Sequence, residues 1–384
     1  MLITRLRLKN WRNFREFDAP LELHAFVIGA NASGKSNLLD VFRFLRTVAQ
    51  IDGGGLQKAL KERGGISKLR SLHARKDPEI SIEVELSESS DEDAARWTYA
   101  LAFKAEGKGA QRVLITREVV SHNGLEILNR PEKVDLEDEV RLTQTHLEQI
   151  NNNASFRQLA DFFSATTYLH LVPQLLKFSD EISGRVLESD PFGQGLLQRI
   201  ARTPQKTQAA RLKRIAQALA VAVPLFSELQ FKKDDVTGAP HLEARFTHWR
   251  EHGAWQREEQ LSDGTLRLIG LLWALQEGDG LLLLEEPELS LNDAIVEYIP
   301  LMIERVLRSR KKGERQVVVT THSDNLIAAV SDPSAVLLLE PGQNGTTARA
   351  PNEEELAAME NGLNPAEVLL PKTRPARIEQ MGLF

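Results

Sequence analysis

The segment Gly29-Ala30-Asn31-Ala32-Ser33-Gly34-Lys35-Ser36 constrains this chain more than any other. It fits the spacing G-x-x-x-x-G-K-[ST], in which glycines let the backbone curl until its N–H groups converge on an anion. Its flanks suit such a turn. His24 to Ile28 is a short apolar run, read as a strand. After the turn, Leu38, Leu39, Val41, Phe42, Leu45, Val48 and Ala49 recur at helical spacing. A strand, a turn and a helix in this order set the helix N-terminus against the anion. Gly29, Asn31, Ser33, Gly34, Lys35, Ser36 and Asn37 therefore form a candidate phosphate cradle. Lys35 is expected to reach the β- and γ-phosphates of a nucleotide, and the Ser36 hydroxyl to bind Mg²⁺.

The rest of the chain divides by texture. The first ten residues alternate apolar and polar, which predicts a half-buried strand. From Ile80 to Val120 three runs, ISIEVEL, WTYALAF and VLITREVV, predict an antiparallel meander, with a hairpin turn at His122-Asn123-Gly124. Between about 145 and 230 the spacing is helical. LLLLEEPE, VVVTTHS and AVLLLE are continuous apolar strands ending in polar residues, as in a parallel sheet covered on both faces. The expected class is α/β: a mixed or parallel sheet with helices on both faces, an antiparallel β subdomain and a helical lobe. Its parts are 1–140, with the phosphate turn and the β subdomain, a mostly helical insert 141–255, a segment 256–345 and an irregular tail 346–384 rich in Pro, Asn and Glu.

Three further motifs follow in the last third. Leu281–Leu284 runs into Glu285 and Glu286, where one carboxylate can hold Mg²⁺ or its waters and the other can deprotonate a water. Ser262 and Gly264, in LSDGT, can form a second anion site at a helix N-terminus, although taken alone this turn reads as an ordinary helix N-cap. His322 ends the VVVTT strand and can hydrogen-bond a phosphate oxygen; alone it reads as a core or capping residue.

Composition sets the outer bounds. The chain has no cysteine, which excludes disulfides, thiol nucleophiles and thiolate metal sites. A net charge of −6 limits nucleic-acid contact to a local patch. No run of about 18 apolar residues predicts a membrane span, and the arginine-rich N-terminus does not read as a signal peptide. A cytoplasmic location is the expectation.

The order of these motifs resembles that of ABC-type ATPase heads of the SMC/RecF group. The opening ITRLRLKNWRNFREF resembles their first strand and following loop, and EEPE with THS resembles stand-alone bacterial RecF-like and OLD-like AAA ATPases. The resemblance covers about residues 1–340 and implies a P-loop NTPase of ABC head type that binds and hydrolyses ATP with Mg²⁺. It makes Gly29 to Ser36 the Walker A loop, with Lys35 catalytic. Glu285 and Glu286 become the end of Walker B, with Glu286 as base, and His322 the switch histidine. Ser262 and Gly264 become a signature that contacts the γ-phosphate held by an opposite subunit, with Ser290 to Asp293 at the D-loop position. It also brings Arg12 to the nucleotide and Gln174 to the metal as the Q-loop residue. Two departures stand out. Glu285 occupies a position usually filled by Asp, and the signature reads LSDGT rather than LSGGQ. Both are compatible with slow hydrolysis and retained nucleotide binding.

The implied assembly is a homodimer, head-to-tail around two ATP molecules. The implied role is the ATPase subunit of an anti-phage defence or toxin-type system, acting on a separate effector such as a nuclease. The 62 residues after His322 are too few for the Toprim domain of OLD-like proteins. The alternatives are a RecF-like DNA maintenance ATPase and an ATP-gated scaffold with little turnover. Direct DNA contact has two sets of candidate cations: Lys58, Lys61, Arg63, Lys68, Arg70, Arg75 and Lys76, and Arg308, Arg310, Lys311, Lys312 and Arg315. Such runs also occur as ordinary solvated faces.

Overall fold

The apolar run before the phosphate turn is a strand, His24–Gly29, with Ala25 to Ile28 buried. The computed structural model describes residues 1–384 except 75, 92, 108–111, 179–189, 248–254, 311–313 and 375–384. In chain order the strands are β1 (Leu2–Trp11), β2 (Phe14–Pro20), β3 (His24–Gly29), β4 (Ile80–Ser87), β5 (Arg96–Ala105), β6 (Val113–His122), β7 (Leu125–Arg130), β8 (Thr167–Leu169), β9 (Phe226–Lys233), β10 (Pro240–Phe246), β11 (Trp255–Arg257), β12 (Leu282–Glu285), β13 (Val317–Thr320), β14 (Val336–Gly342) and β15 (Gly345–Arg349). The chain divides into one unit of Met1–Thr166, Asp279–Leu283 and Lys312–Phe384, and a second of Thr167–Gly278 and Leu284–Lys311.

In the first unit, β3 lies between two parallel neighbours from the far end of the sequence. Val317–Thr320 pairs with His24–Val27, and Val336–Leu339 pairs with Phe26–Gly29. The continuous apolar runs exist because these strands are buried on both faces. β14 turns back antiparallel into β15, so the sheet is mixed. A separate antiparallel sheet runs β2-β1-β4-β5-β6-β7. Its β6–β7 turn has Asn123 and Gly124 at positive φ, as a two-residue hairpin requires. The helix Lys35–Ala49 buries the apolar face its spacing predicts, and adds Phe44 to it. Phe44 meets Trp11 edge-on at 5.2 Å and stacks on Phe103 at 5.7 Å, tying that helix to the antiparallel sheet.

The second unit packs the helices Leu196–Arg202, Gln205–Ala222 and Asp263–Gln276 with the antiparallel sheet β11-β10-β9. Its core includes Leu212, Leu219, Leu242, Leu266, Ile269 and Trp273. Glu258 fixes the entry to the last of these helices. Its two carboxylate oxygens take the His241 ring at 2.7 Å and the Leu242 N–H at 2.9 Å.

Two expectations need correction. The span 141–255 is not mostly helical throughout, because β9, β10 and part of β11 occupy its last third. The alternation in ELQFKK and HLEARF, joined by a turn with Gly238 at positive φ, is the signal of that hairpin. The tail 346–384 is ordered through much of its length: β15 is followed by helices Glu353–Glu360 and Pro365–Leu369. Asn352 with Glu355 and Asn364 with Glu367 form capping boxes, so the Asn- and Glu-rich composition is that of helix starts.

Candidate nucleotide-binding site

The phosphate loop lies wholly in the first unit. Ala32 and Gly34 have positive φ, 63° and 104°, which turns successive peptide groups inward. A Cβ on Gly29 would lie 2.5 Å from Ser33 Oγ and 2.9 Å from Leu339 O, so only glycine fits there. Lys35 is buried, and its Nζ donates to Gly29 O at 3.0 Å and Ala30 O at 3.3 Å. The ammonium is thus held across the mouth of the loop. Ser33 is fully buried, and its Oγ has no hydrogen-bond partner among the described residues. An orphaned hydroxyl inside a curled backbone fits a site built to donate to a phosphate. Asn31 and Ser36 are exposed beside it and Asn37 is half-buried.

His322 lies in the same unit. The Thr321 N–H donates to Val27 O at 3.2 Å, so β13 ends beside β3, and the exposed His322 follows directly. Arg12, expected at the nucleotide, lies in the same unit and is bound to the helix that follows the loop. Its guanidinium binds Asp40 at 2.7 and 3.1 Å, and Arg63 binds the same carboxylate at 2.9 to 3.1 Å. Burial pushes the Asp40 carboxyl up, but Arg63 and Arg12 outweigh it and hold it below the usual carboxylate range. Arg12 therefore stays in this unit as a brace on the helix that follows the loop.

The second unit holds Ser262, Gly264, Gln174, Glu285 and Glu286. Ser262 is an N-cap: its Oγ accepts from the Thr265 N–H at 3.1 Å. Gly264 has an ordinary helical backbone, yet a Cβ there would lie 2.6 Å from Ser290 O. Ser290 and Glu286 both have positive φ, 62° and 45°, so the segment at the D-loop position is sharply bent against the signature. Asp263 accepts from Gln174 Nε2 and Lys177 Nζ, each at 2.6 Å. Gln174 is thus engaged with the signature turn. The Tyr168 hydroxyl donates to the Glu285 carboxylate, and the His170 ring lies 3.2 Å from the Glu285 carbonyl oxygen. Burial lowers the pKa of Arg267, on the signature helix, against the pull of Asp263, Glu288 and Glu286.

Sequence reasoning missed Asn13, Asp40, Tyr168, His170, Lys177 and Arg267. Asn13, Asp40, Tyr168, His170 and Lys177 are brought in by contacts distant in sequence. The basic candidates also change. Arg63 is committed to Asp40, the buried Arg315 donates to Gly280 O at 2.8 Å, and Arg310 donates to Leu275 O at 3.2 Å. Lys58 and Arg308 sit beside Glu62 and Glu304 of their own helices. Lys61, Lys68, Arg70 and Lys76 are exposed. Arg75, Lys311 and Lys312 lie outside the described residues. No helix among the described residues is long and apolar enough to cross a membrane.

A family model described as "AAA domain, putative AbiEii toxin, Type IV TA system" matches residues 25–328, from the strand before the phosphate loop to just past His322. The chain belongs to this AAA domain family. The AAA chain also shares its fold with SMC heads. It is 17% identical to an Smc head solved bound to the C-terminal winged-helix domain of ScpA, with 93% of this chain and 100% of that one covered and a TM-score of 0.56. For an Smc head with an extended coiled coil from Pyrococcus furiosus, solved with the C-terminal domain of ScpA, the identity is 16%, the coverage 94% and 98% and the TM-score 0.51. No curated protein matches the chain. The mixed α/β fold is that of an SMC/RecF-like ATPase head.

Proposed function

We propose that this chain binds ATP with Mg²⁺ on Gly29–Ser36 and hydrolyses it slowly, closing as a head-to-tail homodimer that controls a separate effector. The observation that carries the reading is the loop itself. Gly34 is left-handed, Ser33 Oγ is buried without a hydrogen-bond partner among the described residues and Lys35 spans the mouth. That arrangement sits in a chain of an AAA family. Bound ATP would supply the phosphoryl group and Mg²⁺ would neutralise its charge.

The chain's own residues have distinct tasks. The loop N–H groups, Ser33 Oγ and Lys35 bind the phosphates, and Ser36 offers the metal a hydroxyl oxygen. Tyr168 orients the Glu285 carboxylate, which would help to hold Mg²⁺ in the place usually taken by Asp. Glu286 accepts the proton of the attacking water, and His322 hydrogen-bonds a phosphate oxygen. Ser262 and Gly264 of one copy serve the nucleotide of the other, so ATP favours the closed pair by differential affinity. The toxin-system description of the family supports a role in a toxin-type system with a separate effector. The SMC heads solved bound to domains of ScpA support the reading that this chain acts with a partner. Mass measurement of the purified protein with and without ATP, together with phosphate release, tests the reading. ATP-dependent doubling of mass with measurable turnover is expected. A monomer that neither binds nor hydrolyses ATP would sink it.

Direct DNA binding is a second reading, favoured by the exposed Lys61, Lys68, Arg70 and Lys76. It requires affinity for DNA that falls steeply with salt.

A further inference from the structure

Asn13 lies in the short turn between β1 and β2, and it holds three parts of the first unit at once. Its Nδ2 donates to Ser33 O at 2.7 Å and to Thr346 Oγ1 at 2.8 Å. Its Oδ1 accepts from Asn37 Nδ2 at 2.8 Å. The two N–H groups and the carbonyl are thus all used, and the reversed amide would set its oxygen against the Ser33 carbonyl. The backbone repeats the connection: the Thr346 N–H donates to Asn13 O at 2.9 Å. Gly345, at φ 107°, permits that approach, since a Cβ there would stand 2.7 Å from Asn13 O.

The bond to Ser33 O has a specific consequence. That carbonyl and the Gly34 N–H belong to one planar trans peptide, so they point in opposite directions. Holding the oxygen on Asn13 aims the Gly34 N–H away from Asn13. Asn13 is also packed against the turning glycine, with Nδ2 2.1 Å from where a Gly34 Cβ would stand.

We propose that Asn13 is a positioning residue that sets the Ser33–Gly34 peptide for phosphate binding, and that Thr346 of the β14–β15 hairpin sets Asn13. The C-terminal hairpin thereby tunes nucleotide affinity without touching nucleotide. This rests on the ATP-binding reading above. Arg349 on β15 joins Glu340 on β14 at 2.9 Å and Glu355 on the next helix at 2.7 Å, so the hairpin is itself anchored.

The test uses the full chain carrying Thr346→Val, Thr346→Ser or Asn13→Asp. ATP·Mg²⁺ affinity is read by calorimetry, kcat and KM by phosphate release, and folding by thermal melting. Thr346→Val keeps the side-chain shape and removes the hydroxyl. It should weaken ATP binding about 3- to 10-fold, the worth of one hydrogen bond, with kcat within about twofold. Thr346→Ser should restore affinity to within about twofold, and Asn13→Asp should weaken binding more than Thr346→Val because its carboxylate faces the Ser33 carbonyl. Wild-type affinity in Thr346→Val, or equal weakening in the valine and serine variants, overturns the proposal while leaving the ATP-binding reading intact. A wild-type chain that binds no ATP overturns both.

Discussion

The phosphate-loop region and the signature region each depend on a glycine whose missing side chain makes room for a distant residue, and they do so differently. At Gly34 the space is taken by the Asn13 amide, the end of a side chain, and φ itself is left-handed. At Gly264 the backbone is ordinary helix, and the space is taken by the Ser290 carbonyl oxygen, which has no rotamer to escape into. The first glycine is demanded by local conformation as well as by packing. The second is demanded by packing alone, since alanine would otherwise favour a helix by about 1 kcal/mol. The first region should govern nucleotide affinity and the second turnover.

That division can be broken by experiment. The largest effect is expected from Lys35→Ala, which should weaken ATP binding by at least about 100-fold, the scale of losing a buried charge-assisted contact to phosphate. Unchanged affinity by calorimetry would remove the loop from the binding site. Glu286→Gln should lower turnover by about 100-fold or more and leave ATP-dependent dimers intact. Wild-type phosphate release would strip Glu286 of its role as base. Gly264→Ala sharpens the contrast. The new methyl must displace Ser290, so turnover should fall about 10-fold with monomer ATP affinity within about twofold. A loss of affinity equal to the loss of turnover would merge the two regions.

The smallest effect concerns the anchor of the C-terminal hairpin. Hydrogen bonds from Arg349 hold the Glu355 carboxyl at about 2 against its burial, with Lys372 adding to the pull. A depressed carboxylate pKa contributes stability that is present above the usual value of 4.5 and lost as pH falls toward 2. Glu355→Gln should lower the melting temperature at pH 7 by about 2–4 °C per kcal/mol lost and flatten its fall between pH 4.5 and 2. An unchanged pH profile would show that the Arg349–Glu355 pair contributes nothing to the fold.

Much of the architecture is readable before folding because its signals are local. The strand–turn–helix around Gly29–Ser36, the β4–β7 meander and the apolar strands before Glu285 and His322 all depend on neighbours in sequence. The β9–β11 sheet and the ordered tail were missed although their alternation and capping boxes are local too. A mainly helical span hid the first, and a polar composition hid the second. Arg63 and Arg315 show the opposite limit. Both read as surface cations in sequence, and only the folded chain brings Asp40 and the Gly280 carbonyl to them.

By itself, the sequence determined a phosphate turn with its strand and helix, two carboxylates at a strand end and a glycine-bearing helix start. Each needs only a few consecutive residues of the right conformational preference. The tertiary structure alone decided what surrounds them: Asn13 and Thr346 behind the loop, Tyr168 on Glu285, Gln174 and Lys177 on Asp263, and Ser290 against Gly264. Hydrogen bonds and close contacts act over about 3 Å, whereas the residues that make them lie up to 333 positions apart in the chain.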